Sequence, residues 1–258
     1  MRNKDNFFKA DIEANNITYG FFTKKNGFSK NNFYSLNCSL SSGDKKNLVE
    51  KNILSAIKKL GLEKKKLKFT NQIHSSKVNF VDIRNYDKVT NGDGLMTKDK
   101  DIVLAILTAD CAPIFISDNK NSFICALHSG WKGCLKNIIK NATNKIKSLS
   151  LNKSELFAIV GPCLNKENFE VDSRFKEIFL KSNVDYNKFF FHNINYDKYF
   201  FDMRGLINYQ LKACLIKNIS NIDLDTYSNK NIFFSHRYST HNNILPTGRM
   251  INLIGFKD

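Results

Sequence analysis

Ile102-Val-Leu-Ala-Ile-Leu-Thr108, then Ala112-Pro-Ile-Phe-Ile-Ser-Asp118 and Asn121-Ser-Phe-Ile-Cys-Ala-Leu127, form the most apolar part of this chain. β-Branched and aromatic residues dominate all three runs, and each is as short as a buried strand. Only Asn119-Lys120 separates the second run from the third, which predicts a β-hairpin. With those two residues as the loop, Asp118 faces Asn121, and stepping outward along both strands brings Cys111 opposite His128. Directly opposed residues share a face, with Cα atoms roughly 4.5–5.5 Å apart, so the register predicts a thiol and an imidazole in one small space.

Further strands are expected at 17–23, 67–70, 78–81, 156–160, 232–235 and 250–254, with a turn at Asp93-Gly94. Residues 44–60 read as an amphipathic helix through Val49, Ile53, Ala56, Ile57 and Leu60, with Ser42 or Asp44 as cap and Gly61 as stop. Helices are also predicted over 134–148, through Leu135, Ile138, Ile139, Ala142 and Ile146, and over 203–217. Strands and helices mixed with hairpin-like connections point to an α+β fold in layers rather than strict βαβ alternation.

Composition narrows the class. The 258 residues are 42% hydrophobic and 25% charged, a globular balance that excludes a disordered chain. Three prolines, twelve glycines and no linker or repeat imply one domain over 1–258. The longest apolar run falls far short of the ~20 residues of a membrane-spanning helix, and no apolar segment follows the charged start, so a cytoplasmic protein without membrane contact is expected. The six cysteines lie far apart without a C-x-x-C pair and are read as free thiols. The net charge of +16 is scattered rather than gathered into a stripe, which argues against nucleic acid, while a basic surface still favours anionic ligands. The cluster Lys64-Lys65-Lys66 with Lys68 is read as a solvated turn.

A Cys111–His128 pair supports two chemistries: a thiolate nucleophile activated by imidazole, or two ligands of a borderline transition metal. His74, in the polar segment Asn71-Gln72-Ile73-His74-Ser75-Ser76, supplies a third donor. A His, Cys, His set with an open fourth position is the arrangement of a catalytic rather than a structural zinc. Against both stands the plain alternative of a buried thiol and two hydrogen-bonded imidazoles. Past His128, Ser129-Gly130-Trp131-Lys132-Gly133 leads through glycines into a helix, exposing backbone N–H groups that suit an anion. The lysine is not followed by Ser or Thr, so this is no Walker motif. Trp131 reads equally as core or as a stacking platform for a base.

These residues, taken together, resemble a known family. Gln72-x-His74, Asp93-Gly-Leu-Met-Thr97, Thr108-Ala-Asp-Cys-Ala-Pro113, His128-Ser-Gly-Trp-Lys-Gly133, Gly161-Pro162, Phe169-Glu-Val171, Tyr227-Ser228, Phe233-Phe-Ser-His-Arg237 and Thr247-Gly-Arg-Met250 stand in the order of the YfiH-like, laccase-domain proteins, from about Phe21 to the C-terminus. That family was first described as multicopper polyphenol oxidoreductase and is now regarded as purine nucleoside phosphorylase with adenosine deaminase activity. The resemblance implies an α/β/β/α layered sandwich with mixed sheets. It also implies a zinc site at His74, Cys111 and His128, with copper as the alternative metal, and inosine, adenosine or methylthioadenosine with phosphate as substrates. A monomer or weak homodimer is expected. The family's F-x-T-R-x-G-G-V-S appears as Phe21-Phe22-Thr23-Lys24-Lys25-Asn26-Gly27-Phe28-Ser29; Lys24 keeps the charge of the arginine without its bidentate fork. The C-T-Y-S of relatives is Asp225-Thr-Tyr-Ser228, which argues against an essential thiol there.

Phosphorolysis needs an anion held near the anomeric carbon and charge relief for the departing base. Arg237, Arg249, Lys132 with the Gly130–Gly133 backbone, and Lys24 are the expected phosphate or substrate contacts. Deamination needs a carboxylate to move a proton; Asp110, Asp93 and Glu170 are candidates, and Asp110 joins His74, Cys111 and His128 in the expected catalytic set. The zinc deaminase signature H-x-E with P-C-x-x-C is absent. Two rival enzymes are a copper-dependent polyphenol oxidase and a cysteine hydrolase or amidase using Cys111 and His128. A module that binds purines without turnover is the third rival. Only five histidines occur, too few for a histidine-rich copper cluster beside this site.

Overall fold

A computed structural model describes residues 2–4, 6–10, 16–151, 154–193 and 198–257. The three apolar runs are strands, but they divide between two six-stranded sheets. Ile102–Thr108 lies in the first, in the order Arg2–Lys4, Phe7–Lys9, Ile17–Phe22, Met250–Phe256, Ile102–Thr108, Lys66–Lys68. The hairpin Ala112–Asp118 and Ile124–Ser129 is central to the second, in the order Asn218–Asn221, Leu156–Val160, Ala112–Asp118, Ile124–Ser129, Gly94–Thr97, Val78–Phe80. Both sheets are mixed: Lys66–Lys68 runs parallel to its neighbour, as do Asn218–Asn221 and Val78–Phe80 to theirs, while the other pairs are antiparallel. A small antiparallel sheet joins Glu170–Val171, Lys198–Phe201 and Phe190–Asn193.

Strand alternation builds the layers. Ile102, Leu104 and Ile106 meet Phe115, Ile124 and Ala126 of the opposite sheet, and this is the central core. Val103 and Ala105 turn outward with Ile251 and Leu253 onto Ala56 and Ile57 of the helix Lys46–Lys59. Ile114, Ile116 and Leu127 turn outward onto Ile139 and Ala142 of the helix Ile138–Ser148 and Leu206 and Ile207 of the helix Met203–Ala213. The result is the α/β/β/α sandwich. Each such side chain, fully buried, contributes on the order of 1.5–3 kcal/mol, which explains why the period-2 pattern dominates the local propensities.

Several local expectations change. The hairpin loop is longer than Asn119-Lys120: Ser117 pairs with Ile124, so Pro113 faces His128 and Cys111 lies two residues further out. Asp118 is the reason, because its carboxylate accepts Ser122 N–H at 2.7 Å and the hydroxyls of Ser122 and Ser154 at 2.8 and 2.9 Å, holding a wider turn. A shift of two preserves the face, so the thiol and imidazole still converge. The predicted helix over 134–148 is two, Trp131–Leu135 and Ile138–Ser148, broken where Asn137 takes φ +50° and caps Lys140. The expected helix over 203–217 stops at Ala213, since Leu215 adopts φ +64°. Residues 232–235 form a turn rather than a strand; Phe233 and Phe234 are buried between the sheets without joining a ladder. Neither Ser42 nor Asp44 caps the first long helix: its flanking residue is Lys45, and the Asp44 carboxylate turns to Asn37 Nδ2 at 3.0 Å. Lys68 is buried, not solvated, with Nζ donating to the carbonyls of Tyr86 and Lys88. All six cysteines are free, and among the described residues no helix is long and apolar enough to cross a membrane.

Candidate metal centre

The site lies where the chain steps from one sheet to the other. Thr108 ends a strand of the first sheet and Ala112 begins one of the second, leaving Ala109, Asp110 and Cys111 to cross. Packed sheets stand about 10 Å apart, a gap that three residues at about 3.3–3.6 Å each just span. Cys111 is therefore at the crossover, free of both ladders. Two residues along the opposing strand direction, Gly130 approaches it so closely that a Cβ at 130 would lie 2.7 Å from Cys111 Sγ and 3.4 Å from His74 Cδ2. Only glycine leaves that space.

His74 arrives by a different route. The Gln72 side chain behaves as a strand edge, its Nε2 donating to Leu107 C=O and its Oε1 accepting Leu107 N–H, both at 2.8 Å. Two residues later His74 takes φ +56°, and the carboxylate of Asp93 accepts the N–H groups of Ile73, His74 and Ser75 together with the Ser75 hydroxyl. The same carboxylate bonds His128 Nδ1 at 2.8 Å. One fully buried carboxylate thus fixes the backbone that carries His74 and orients the His128 ring. Asp93 is not in a turn, as its Asp-Gly sequence suggested; it directly precedes the strand Gly94–Thr97, beside His128.

The ligand atoms of His74, Cys111 and His128 all lie within 4.8 Å of one another, and the two rings stand 5.0 Å apart at 81°. Burial alone would raise the Cys111 thiol, but His128 and His74 beside it bring it down to about 6. Burial alone would lower His128, but Cys111 and Asp93 lift it to about 9. Asp93, pushed up by burial, is held at about 2 by hydrogen bonds from His128 and Ser75. One soft thiolate, two imidazoles and a carboxylate behind one imidazole make a donor set that fits a borderline divalent metal.

Two hollows meet at this group. One, of about 520 Å³, has aromatic and apolar walls from Trp131, Phe169, Phe175, Val171 and Met203, with Lys132, Arg237, His236 and Asp110 among its polar members. The other, of about 370 Å³, is polar, with Ser39, Ser41, Asn71, Gln72 and Arg249. His74, Cys111 and His236 border both. Trp131 is both core and wall, its ring 5.2 Å from that of Phe175 and tilted by 56°.

Of the expected substrate contacts, Lys132 and Arg237 reach the aromatic hollow and Arg249 the polar one. Arg237 Nη1 donates to Glu170 C=O at 2.9 Å, and Arg249 Nη1 donates to the carbonyls of Thr247 and Gly248. Lys24 lies elsewhere, over the Phe234 ring in a separate hollow with Tyr34 and Lys230. The helix after Gly130 has only five residues, so the dipole argument for an anion at its start loses its basis. Among the candidate proton carriers, Glu170 is ion-paired to Lys198 at 2.6 Å and borders neither hollow. Both oxygens of Asp110 are engaged, by the Thr226 hydroxyl and the Arg237 N–H. Burial holds the Asp110 carboxyl above the ordinary range against those bonds. Sequence reasoning overlooked two residues: Asp93 as common anchor of both histidines, and His236, visible only as part of Phe233-Phe-Ser-His-Arg237.

A family model described as multi-copper polyphenol oxidoreductase laccase matches residues 18–257. The chain is 30% identical over 267 aligned positions to the purine nucleoside phosphorylase YlmD of Bacillus subtilis, covering 96% of this chain and 92% of that protein. It is 32% identical over 171 residues to a purine nucleoside phosphorylase of Rickettsia conorii, covering 66% of this chain and 70% of its relative. Among solved structures, the hypothetical protein YfiH of Bacillus licheniformis has a TM-score of 0.85 at 27% identity over 93% of both chains. YlmD of Geobacillus stearothermophilus shares the fold with a TM-score of 0.88 at 22% identity, over 100% of this chain and 98% of that one. A crossover cysteine joined by two histidines thus stands within a fold and a sequence pattern that match along almost the whole chain, and the protein belongs to the multi-copper polyphenol oxidoreductase laccase family.

Proposed function

We propose that the chain is a purine nucleoside phosphorylase that cleaves inosine or adenosine with phosphate to free base and ribose 1-phosphate. The observation that carries this reading is that the His74, Cys111, His128 group stands at the junction of an aromatic and a polar hollow. A nucleoside has the same two halves. The purine would stack among Trp131, Phe169 and Phe175, where aromatic contacts are favourable. The ribose and phosphate would meet the hydroxyls and amides of Ser39, Ser41 and Asn71 and the guanidinium of Arg249. Lys132 and Arg237 would stabilise charge developing on the departing base. His236, lowered by its burial and by Arg249 nearby, is neutral at pH 7 and so able to accept or donate a hydrogen bond at the junction. We assign no substrate contact to Lys24.

His74, Cys111 and His128 would hold one zinc ion, which supplies Lewis-acid charge stabilisation beside the sugar. Asp93 keeps His128 Nδ1 engaged and so presents Nε2 to the site. The proposal extends to methylthioadenosine as a further nucleoside and to adenosine deamination at the same centre, with Asp110 the carboxylate nearest the hollow. Copper laccase chemistry is left out: His241 is bonded to the Tyr227 hydroxyl and His192 meets Tyr199 edge to face, which leaves no histidine cluster to serve dioxygen among the described residues.

The test is the purified chain with inosine, with and without phosphate. Hypoxanthine and ribose 1-phosphate should form only with phosphate; ribose released without phosphate, or no cleavage, would reject the reading. Metal removal should abolish turnover. Full activity after chelation, lost in Cys111→Ala, would favour the thiol hydrolase instead.

A further inference from the structure

Asp110, the residue before the proposed ligand Cys111, has φ +85°, a conformation that a non-glycine residue keeps only where its surroundings impose it. Three separate segments impose it here. Leu164 N–H donates to its carbonyl at 2.9 Å, the Thr226 hydroxyl to Oδ1 at 2.6 Å, and Arg237 N–H to Oδ2 at 2.6 Å. Thr226 is itself fixed. It is fully buried, its N–H donates to Cys163 C=O at 3.2 Å, and the preceding Asp225 carboxylate accepts Asn165 N–H at 3.0 Å and Ser228 N–H at 2.8 Å. Thr226 borders neither hollow.

We propose that Thr226 and Asp110 are positioning residues: the Thr226 hydroxyl locks Asp110 in its left-handed turn at the sheet-to-sheet crossover, and that turn aims Cys111 Sγ at His74 and His128. The physical need is specific to the crossover. Asp93 holds the His74 backbone and the His128 ring, but Cys111 belongs to no strand, and the direction of its Cα–Cβ bond follows from the backbone at 110. In holding Cys111, Asp110 acts by shape and by accepting hydrogen bonds, whatever part it takes in deamination. The proposal rests on the metal-centre reading, and its test is metal binding rather than turnover.

The probe is cobalt(II), titrated into the metal-free chain, with affinity measured by chelator competition and the thiolate-to-cobalt charge-transfer band recorded. Thr226→Val keeps the volume and removes the hydroxyl; affinity should fall about 10-fold or more, as for other partners behind a ligand, with the band weakened or shifted. Thr226→Ser should restore both. A purely structural role would lower the melting temperature of the metal-free chain and leave the band alone. Should Thr226→Val fail to fold, Asp110→Asn and Asp110→Ala answer the same question. Asparagine tolerates the left-handed turn and keeps an acceptor for Arg237 N–H while the Thr226 hydroxyl rotates to accept. It should bind within a few-fold of the unmodified chain, whereas alanine should lose at least 10-fold. Unaltered affinity and band in Thr226→Val, or in Asp110→Ala, would overturn the proposal alone. Failure of the unmodified chain to bind cobalt would overturn the metal centre and this proposal with it.

Discussion

Cys111, His128 and Asp93 alternate in charge, thiolate, imidazolium and carboxylate, and His128 between the other two favours the ionised form of each. At pH 7 the metal-free centre carries a thiolate, since Cys111 is brought to about 6, and a protonated His128, raised to about 9. A metal takes a thiolate and a neutral imidazole, so binding at pH 7 should release about one proton from His128. Calorimetry in buffers of different ionisation enthalpy measures this directly, and release should fall by half near pH 9 and vanish well above it. Asp93 carries a second consequence. Its carboxyl, held at about 2 against an ordinary 3.8, stabilises the metal-free fold above about pH 4, and that contribution is lost as pH falls toward 2. Asp93→Asn should therefore be less stable by about 2 kcal/mol at neutral pH, with the difference closing in acid, as denaturant titrations at pH 7 and pH 2.5 would record. Asp93 was legible as part of a motif and as a candidate proton carrier, not as an anchor of the site. An Asp-Gly pair reads locally as a turn, and nothing in the linear chain says that His74 and His128 lie on either side of it.

The hairpin is the element on which the site depends, and its sequence was informative to within two residues. In the structure Ile114 and Ile116 face the helices and Phe115 the other sheet, so a one-residue slip would exchange the two cores. A two-residue slip exchanges nothing, so loop chemistry had to decide it, and Asp118 does so through Ser122 and Ser154. Ser154 is remote in sequence, which is why the wider turn was not visible. Asp118→Ala removes three hydrogen bonds from a fully buried carboxylate and should cost about 2–4 kcal/mol, read as a lowered denaturation midpoint. Metal affinity should stay within about threefold, since the loop is at the far end of the strands from Cys111. The split of the 134–148 helix has a comparable cause: Asn137 bonds the Lys140 amide and starts a new helix, a local competition that apolar periodicity does not register.

At the scale of the molecule, Arg204 ties the second sheet to the walls of the aromatic hollow. It is buried and donates to the carbonyls of Gly161, Ile222 and Leu224 and to Asn165 Oδ1, with Nε 3.3 Å from Asp223. Arg204→Ala would leave Gly161 C=O and Asn165 Oδ1 without their donor, while Ile222 and Leu224 C=O keep the N–H groups of Leu224 and Cys163; it should destabilise the fold by about 2–4 kcal/mol, enough to lower the melting temperature by several degrees. Arg204→Lys should recover little, because a single ammonium cannot reach the four sites of the planar fork. Short β-branched and aromatic runs and period-3.6 hydrophobic patterns, short-range in origin, were sufficient to predict most strands, the long helices and the layered α+β class, and residue order carried the family. Sheet membership, the Asp93 anchor, the crossover at Asp110 and the exclusion of Lys24 from the hollows arose from contacts between segments up to more than a hundred positions apart. Such contacts leave no periodic trace in a single chain, since their energy depends on where the layers pack and not on which residues are neighbours along the backbone.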